Sequence, residues 1–351
     1  MMKLVFITLI IFVILSCSEE PLTNVVNGDW LIPKREVHDG GPGKDGIPSI
    51  DNPKMISLEN TDFLNDDDLV VLFGNQGELS IYPHKILDWH EIVNAQDVVV
   101  SYCPLTGTAI GLNREIEQNG LSERTAFGVS GLLYNTNLIL YDRLTDSYWS
   151  QMKNQCVGGD LIGTFPKNEI LVETTYKTVK NMFQDARVLS DKTGYYSTEQ
   201  YAVYPYGDYK TNNNRLLFPI SNSDNRIPGK ERVMGIVING EARAYRFESL
   251  ESGINVINTN VGGVEVVVVG SKTSNYLVAY KNTFNDSQVP LTFTKGSGNG
   301  QVVFKDNIGN NYNVLGEVVT GPNSGSRLAG THSYISFWFA WAAFYPNTEI
   351  K

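Results

Sequence analysis

Three cysteines and four histidines are the thiol and imidazole complement of this 351-residue chain. Cys103 closes a valine-rich run in "VVVSYCPLTGTAI" (Val98 to Ile110). Pro104 biases Cys103 away from helical backbone, and Gly107 permits a turn just behind it. The pattern predicts a thiol on a strand-end turn, where a rigid scaffold commonly presents nucleophiles and ligands. Such a thiol reacts as the thiolate and needs a neighbour that lowers its pKa; His90 and Arg114 are the candidates. In "DWHEIVN" (Asp88 to Asn94), His90 forms with Cys103 a candidate catalytic nucleophile–base pair, and Asn94 could orient the imidazole. The same atoms together with His84 form a candidate metal site, because imidazole and thiolate suit copper or zinc. Neither an HExxH pair nor a paired CxxC accompanies them. Asp142 and Arg143 end a predicted strand, where the guanidinium either clamps a carboxylate or phosphate or ties a turn. Tyr102, Thr106, Arg114, Asp142 and Arg143 complete a candidate ligand-binding cleft around His90 and Cys103. The plainer alternatives are a small apolar cysteine packed in a core and a structural histidine.

The elements that must position these residues read as β-rich. Thirty-two glycines and eighteen tyrosines fit a turn-dense, strand-forming chain. "VLFGNQGELSIYP" (Val71 to Pro83) and "GIVINGEARAYRF" (Gly235 to Phe247) share a strand–turn–strand pattern. "VVVSYCPLTGTAIGLNR" parallels "VVVVGSKTSNYLVAYKN", and "YDRLTDSYWSQ" parallels "FKDNIGNNYNV", aligning Asp142 with Asp306. The repeats predict a mainly β, β-dominated α+β protein built from two duplicated units, each closed by a short helix. Those helices are expected in "TTYKTVKNMF" (Thr174 to Phe183) and "SYISFWFAWAAFYP" (Ser333 to Pro346), the second capped by a serine and stopped by Pro346. The organisation reads as 17–55, a lead segment with a Gly/Pro-rich loop; 56–190, the first unit; 191–229, a tyrosine-rich connector; and 230–351, the second unit. In register, Cys103 falls opposite Ser271 and "DWHEIVN" near "INVINTN" (Ile254 to Asn260), so at these matched places the first copy holds Cys, His and Glu where the second holds Ser, Asn and Thr. The connector's six tyrosines between Thr193 and Asn214 either pin a loop across the junction or line a ligand cleft.

The amino-terminal end carries an address. Lys3 precedes the apolar run Leu4 to Leu15, too short for a bilayer of ~30 Å and the right length for a secretory signal peptide over 1–16. Ile14-Leu15-Ser16-Cys17 resembles the lipobox of bacterial lipoproteins, which implies lipidation of Cys17 and a membrane anchor made of acyl chains. Ser18-Glu19-Glu20 is similar to the acidic tract of some outer-membrane lipoproteins, so the expected location is the bacterial cell envelope, on the periplasmic or surface face of that membrane. Outside the cytoplasm thiols tend to pair, so Cys103 and Cys156 either form a disulfide or leave Cys103 free. A net charge of -10 argues against a nucleic-acid partner, whose phosphates call for basic surfaces. No phosphate-binding glycine loop is present.

"DGGPGKDGIPSID", "DWHEIVN", "SYCPLTGTAIGLNR", "FGVSGLLYNTNLILYDRLTDSYWSQ" and "FWFAWAAFYPNTE" together resemble a bacterial domain-of-unknown-function family, number 3179. The resemblance runs from about residue 39 to the end and implies an extracytoplasmic protein. Many members carry a second cysteine in a CPLC motif; Thr106 stands there in this chain, which weakens a CxxC redox or dithiolate reading. Three functions therefore remain as expectations: a small-ligand or soft-metal (copper) site in the first unit, a thiol-dependent enzyme using Cys103 and His90, and a non-catalytic surface interaction module.

Overall fold

A computed structural model of the protein describes residues 30–118, 120–284, 291–298 and 301–351. The expected signal peptide over 1–16 and the expected lipidation site Cys17 lie outside them. The fold is mainly β, with few short helices, and among the described residues no helix is long and apolar enough to cross a membrane.

The first half runs β1 (Leu69–Phe73), β2 (Ser80–Pro83), α1 (His84–His90), β3 (Ile92–Asn94), β4 (Val98–Cys103), β5 (Thr108–Asn113), β6 (Phe127–Tyr134), β7 (Asn137–Asp142), β8 (Tyr148–Ser150), β9 (Gln155–Gly158), β10 (Val172–Thr175), α2 (Tyr176–Met182) and β11 (Arg187–Leu189). The connector contributes α3 (Thr198–Tyr201). The second half runs β12 (Arg232–Ile238), β13 (Glu241–Arg246), β14 (Asn255–Val261), β15 (Val264–Ser271), β16 (Tyr276–Lys281), β17 (Phe293–Lys295), β18 (Phe304–Asp306), β19 (Asn311–Tyr312), β20 (Val318–Thr320), β21 (Ser333–Phe337), α4 (Trp338–Phe344) and β22 (Glu349–Ile350).

The two halves share a connectivity. One sheet orders β10-β1-β2-β11, with a further strand, Met55–Ser57, antiparallel beyond β11, and its counterpart orders β21-β12-β13-β22. In each, the first three strands are antiparallel and the fourth is parallel to its neighbour, with a helix joining the first and fourth. The meander β3-β4-β5 corresponds to β14-β15-β16, and β6-β7-β8-β9 to β17-β18-β19-β20. One side-chain device recurs in both. Asn94 accepts from the Phe127 amide at 2.8 Å and donates to its carbonyl at 2.8 Å. Asn258 does the same to Phe293, at 2.9 and 2.8 Å.

The near-continuous apolar runs follow from burial on both faces of the strand, which removes the usual polar alternation. In β1, Val70 and Leu72 face a core made with β15, β17 and β18 of the second half, whereas Val71 faces one made with β3 and β4. In β12, Val233 faces the first half's β4, β6 and β7, and Met234 and Ile236 face β15 and β16. The helices α2 and α4 consequently pack in cores shared with the other half. α4 places Trp338 and Trp341, both fully buried, in one core with Val99, Cys103 and Leu140. α2 places Tyr176 and Val179 against Val267 and Phe304. Burying each such aromatic contributes roughly 2–3 kcal/mol.

The expected helix over Ser333–Pro346 is shorter. Ser333–Phe337 is strand, paired with β12, and Phe337 rather than a serine precedes the helix, with no side-chain cap. Pairing in the interior outweighs the capping signal. The first-half helix is capped by Thr175, whose hydroxyl accepts from the Thr178 amide at 3.3 Å.

Candidate functional site

Cys103 ends β4 and is buried. Its Sγ donates to the Thr136 carbonyl at 3.8 Å. Gly107, at φ 61°, turns the chain back under the Phe337 ring, where a Cβ would meet ring carbons at 3.1 Å. Burial, and secondarily the nearby Glu91, push the thiol up to about 11, so the thiolate is scarce at neutral pH. Cys156 lies in β9, donates to the Gly158 carbonyl at 3.4 Å and is pushed by burial to about 12. Both are free thiols, so the disulfide alternative is not taken.

His90 is not aimed at Cys103. Its Nδ1 lies 2.6 Å from the Pro48 carbonyl and its Nε2 2.6 Å from the Tyr201 hydroxyl. A carbonyl only accepts, so Nδ1 carries the proton and Nε2 accepts from Tyr201. Tyr201 in turn meets Thr193 Oγ1 at 2.5 Å. Burial lowers the imidazole's pKa, and both nitrogens are occupied. Asn94 clamps Phe127 and donates to Asp51 at 2.7 Å instead of holding the ring. His84, at the start of α1, stacks against Tyr102 with centroids 4.6 Å apart and lies 3.1 Å from the Glu173 carboxylate. That carboxylate also faces Arg232 at 3.4 Å. Among the described residues no group of three or more His, Cys, Asp or Glu side chains is arranged to hold a metal ion.

The remaining candidates make local ties. Arg114 donates to the Thr125 and Ala95 carbonyls at 2.7 and 2.6 Å. Arg143 binds Asp51 at 2.6 Å, Asp45 at 3.1 Å and Ser49 at 3.0 Å, fastening the Gly/Pro-rich loop to β7. Asp142 accepts from the Thr145 amide at 2.7 Å and Trp149 Nε1 at 2.9 Å. Thr106 accepts from Asn137 at 3.0 Å.

Other residues gather at Cys103. Glu91 terminates α1 at φ 57°, a left-handed conformation that costs a non-glycine residue about 1–2 kcal/mol. Its carboxyl is buried and is raised to about 8 by desolvation and then by Asp88, which keeps it largely protonated at neutral pH. The connector crosses above. Tyr204 donates to the Pro104 carbonyl at 2.9 Å, Trp89 donates to the Val203 carbonyl at 3.0 Å, and Lys210 pairs with Asp88 at 2.8 Å. Tyr204, Tyr206, Tyr209 and Lys230 all lie within electrostatic reach of the thiol.

Lys230 stands just before β12 and is 7% exposed. Its Nζ has no hydrogen-bond partner among the described residues. It sits over the Tyr209 ring at 3.1 Å and the Phe339 ring at 4.4 Å. Burial, and next the like charge of Arg215, bring the amine down to about 7, while the ring faces favour the cation by ~2 kcal/mol or more at a desolvated site. The Tyr209 hydroxyl is buried and unpartnered as well. Buried polar atoms are nearly always satisfied; of the ten unpartnered ones among the described residues, these two sit on contacting side chains and mark this enclosed cluster, the chamber. Glu91, beside His90, and the tyrosine-rich segment were visible signals for it. Lys230, 127 positions after Cys103, had none.

A separate cleft of 440 Å³ opens between the halves, lined by Ile110, Leu171, Glu173, Leu277, His332 and Tyr334. There burial holds His332 neutral, near 4, and Glu173 already has partners.

A family model described as "Protein of unknown function (DUF3179)" matches residues 44–348. No curated protein and no solved structure matches the chain.

Proposed function

The chain belongs to the DUF3179 family, and from its geometry we propose that it is a lipid-anchored protein of the bacterial envelope that encloses a small ligand beneath the tyrosine-rich connector. The carrying observation is the pair of buried, unpartnered polar atoms, Lys230 Nζ and Tyr209 Oη, both within electrostatic reach of the Cys103 thiol. The leader and Cys17 supply the anchor. A small organic ligand fits better than a soft metal, because both His90 nitrogens are engaged. A Cys103–His90 enzyme is disfavoured for the same reason, and because the thiol is raised. We also propose that the halves arose by duplication, which the shared strand order and the matching Asn94 and Asn258 clamps support.

Ligand entry requires the connector to lift without global unfolding, since local openings can cost far less than the whole fold. The two buried thiols test this. With methyl methanethiosulfonate on the folded protein, Cys103 should react at least tenfold faster than Cys156, which is held within a sheet. Equal rates, both matching global unfolding, would sink the chamber.

A further inference from the structure

We propose that Lys230 is an amine nucleophile that forms an imine with a small, largely apolar aldehyde or ketone held in the chamber. The inference rests on the chamber reading above and deepens it by naming the ligand class.

The geometry leads to it. A lysine kept for charge is normally exposed or paired, and Lys230 Nζ has no hydrogen-bonding carboxylate among the described residues. Its Nζ is instead enclosed by the faces of Tyr209, Phe339 and, at 5.5 Å, Phe337. The backbone is anchored where Lys230 N donates to Asn213 Oδ1 at 2.8 Å, so the side chain's position is fixed by the connector that forms the cover. The groups facing it are Arg215 and Tyr209 from the connector and Cys103 from β4. Arg215 repels a second positive charge, and burial favours the neutral amine, so the direction of its pKa agrees with the geometry. Desolvation of a lysine in an apolar pocket is an established way to activate it toward carbonyls. Cys103, raised by the same burial, is the poorer nucleophile of the two at neutral pH.

The step balances without a co-reactant. The Nζ lone pair attacks the carbonyl carbon and a C–N bond forms, while the carbonyl oxygen takes a proton to give a carbinolamine. The C–O bond then breaks and the oxygen leaves as water, carrying the two hydrogens that began on nitrogen. A C=N bond remains. The unpartnered Tyr209 hydroxyl is the donor at hand for the departing oxygen, and aromatic walls suit an apolar body on the carbonyl.

Reductive trapping decides it. The full-length protein is incubated at pH 7.0 with propanal and sodium cyanoborohydride, digested, and every lysine is quantified by mass spectrometry. The expected result is propylation of Lys230 at least tenfold faster than the median surface lysine, with the advantage gone by pH 10, where surface amines also lose their protons. Modification of Lys230 no faster than the surface set overturns the proposal. Lys230→Met should abolish the fast adduct; should that variant not fold, peptide mapping of the unaltered protein still decides. The two readings fail separately: fast Cys103 labelling with an unmodified Lys230 removes the imine and leaves the chamber, whereas slow labelling of both removes both.

Discussion

The turn after β4 and the turn after β15 occupy the same place in the two halves, yet differ in chemistry. Cys103 pairs with Thr108 across the first hairpin, and Ser271 pairs with Tyr276 across the second. The strand opposite delivers Glu91 beside Tyr102 in the first half, where the Tyr102 amide donates to the Glu91 carbonyl at 2.6 Å. In the second, Asn255 stands opposite Gly270. At the second-half end the polar groups satisfy one another beside an open pocket lined by Gly253, Ser271 and Ser274. Ser271 Oγ accepts from the Ser274 amide at 3.2 Å, and Asn255 donates to the Glu251 and Gly253 carbonyls at 3.0 and 3.2 Å. A side chain at Gly270 would strike Leu277 at 2.5 Å. The first-half end instead gathers an acid, a thiol, tyrosines and an amine whose polar needs the fold does not fully meet. A scaffold that is stable with one end satisfied can carry an unsatisfied site at the other.

The largest effects test the covers. Trp341 is fully buried over the first-half core and donates to Thr348 Oγ1 at 2.8 Å; Trp341→Ala should cost about 3–5 kcal/mol in urea unfolding. Val179→Ala, in the lighter cover over the second-half core, should cost about 1–2 kcal/mol. Equal losses would show that the two covers do not differ as their burial implies.

Next come the twin clamps. Asn94→Ala strands a buried amide and carbonyl and should cost about 2–3 kcal/mol, whereas Asn258 is exposed, so water can replace it and Asn258→Ala should cost about 1 kcal/mol. A harmless change at either one would break the structural equivalence.

The pH dependence sharpens the contrast. Glu91 is raised in the folded protein to about 8, so between its ordinary carboxyl range and about 8 the folded state binds more protons than the unfolded one. Its contribution therefore makes stability fall as pH rises through that window. Lys230 is lowered to about 7, so between about 7 and its ordinary range the unfolded state binds more, and stability rises with pH. Each slope approaches ~1.4 kcal/mol per pH unit at its steepest. Glu91→Gln should remove the fall and Lys230→Met the rise, read from urea midpoints between about pH 5 and 10. Unchanged profiles would mean neither group is buried as described.

The smallest effect is Ser271→Cys, which should shift stability by less than ~1 kcal/mol, about the net worth of one hydrogen bond, and leave a thiol as slow to label as Cys156. Fast labelling of the thiol introduced at position 271 would show that the second end opens too.

Much of the fold was legible because strands write their own alternation. The valine run before Cys103, the glycine turn after Val71 and the two-residue turn between β6 and β7 all appear where periodicity puts them. Ser333–Phe337 misled because a stretch with Tyr, Ile and Phe suits a buried strand as well as a buried helix, and pairing with β12 decided it. The site was half legible. Cys103 and the tyrosine-rich connector stood out by type and density, whereas His90, the natural partner for a thiol, turned to Pro48 and Tyr201.

By itself the sequence determined a β-rich chain of two similarly patterned halves, since local alternation and turn residues dictate strands whatever they later pack against. Only the tertiary structure decided that β1 and β12 bury one face in each half and that α2 and α4 lie in cores shared with the opposite half. Only it brought Lys230 to the thiol. Alternation says which face of a strand leaves water, not which sheet meets it there, and the protonation of a buried amine depends on that meeting.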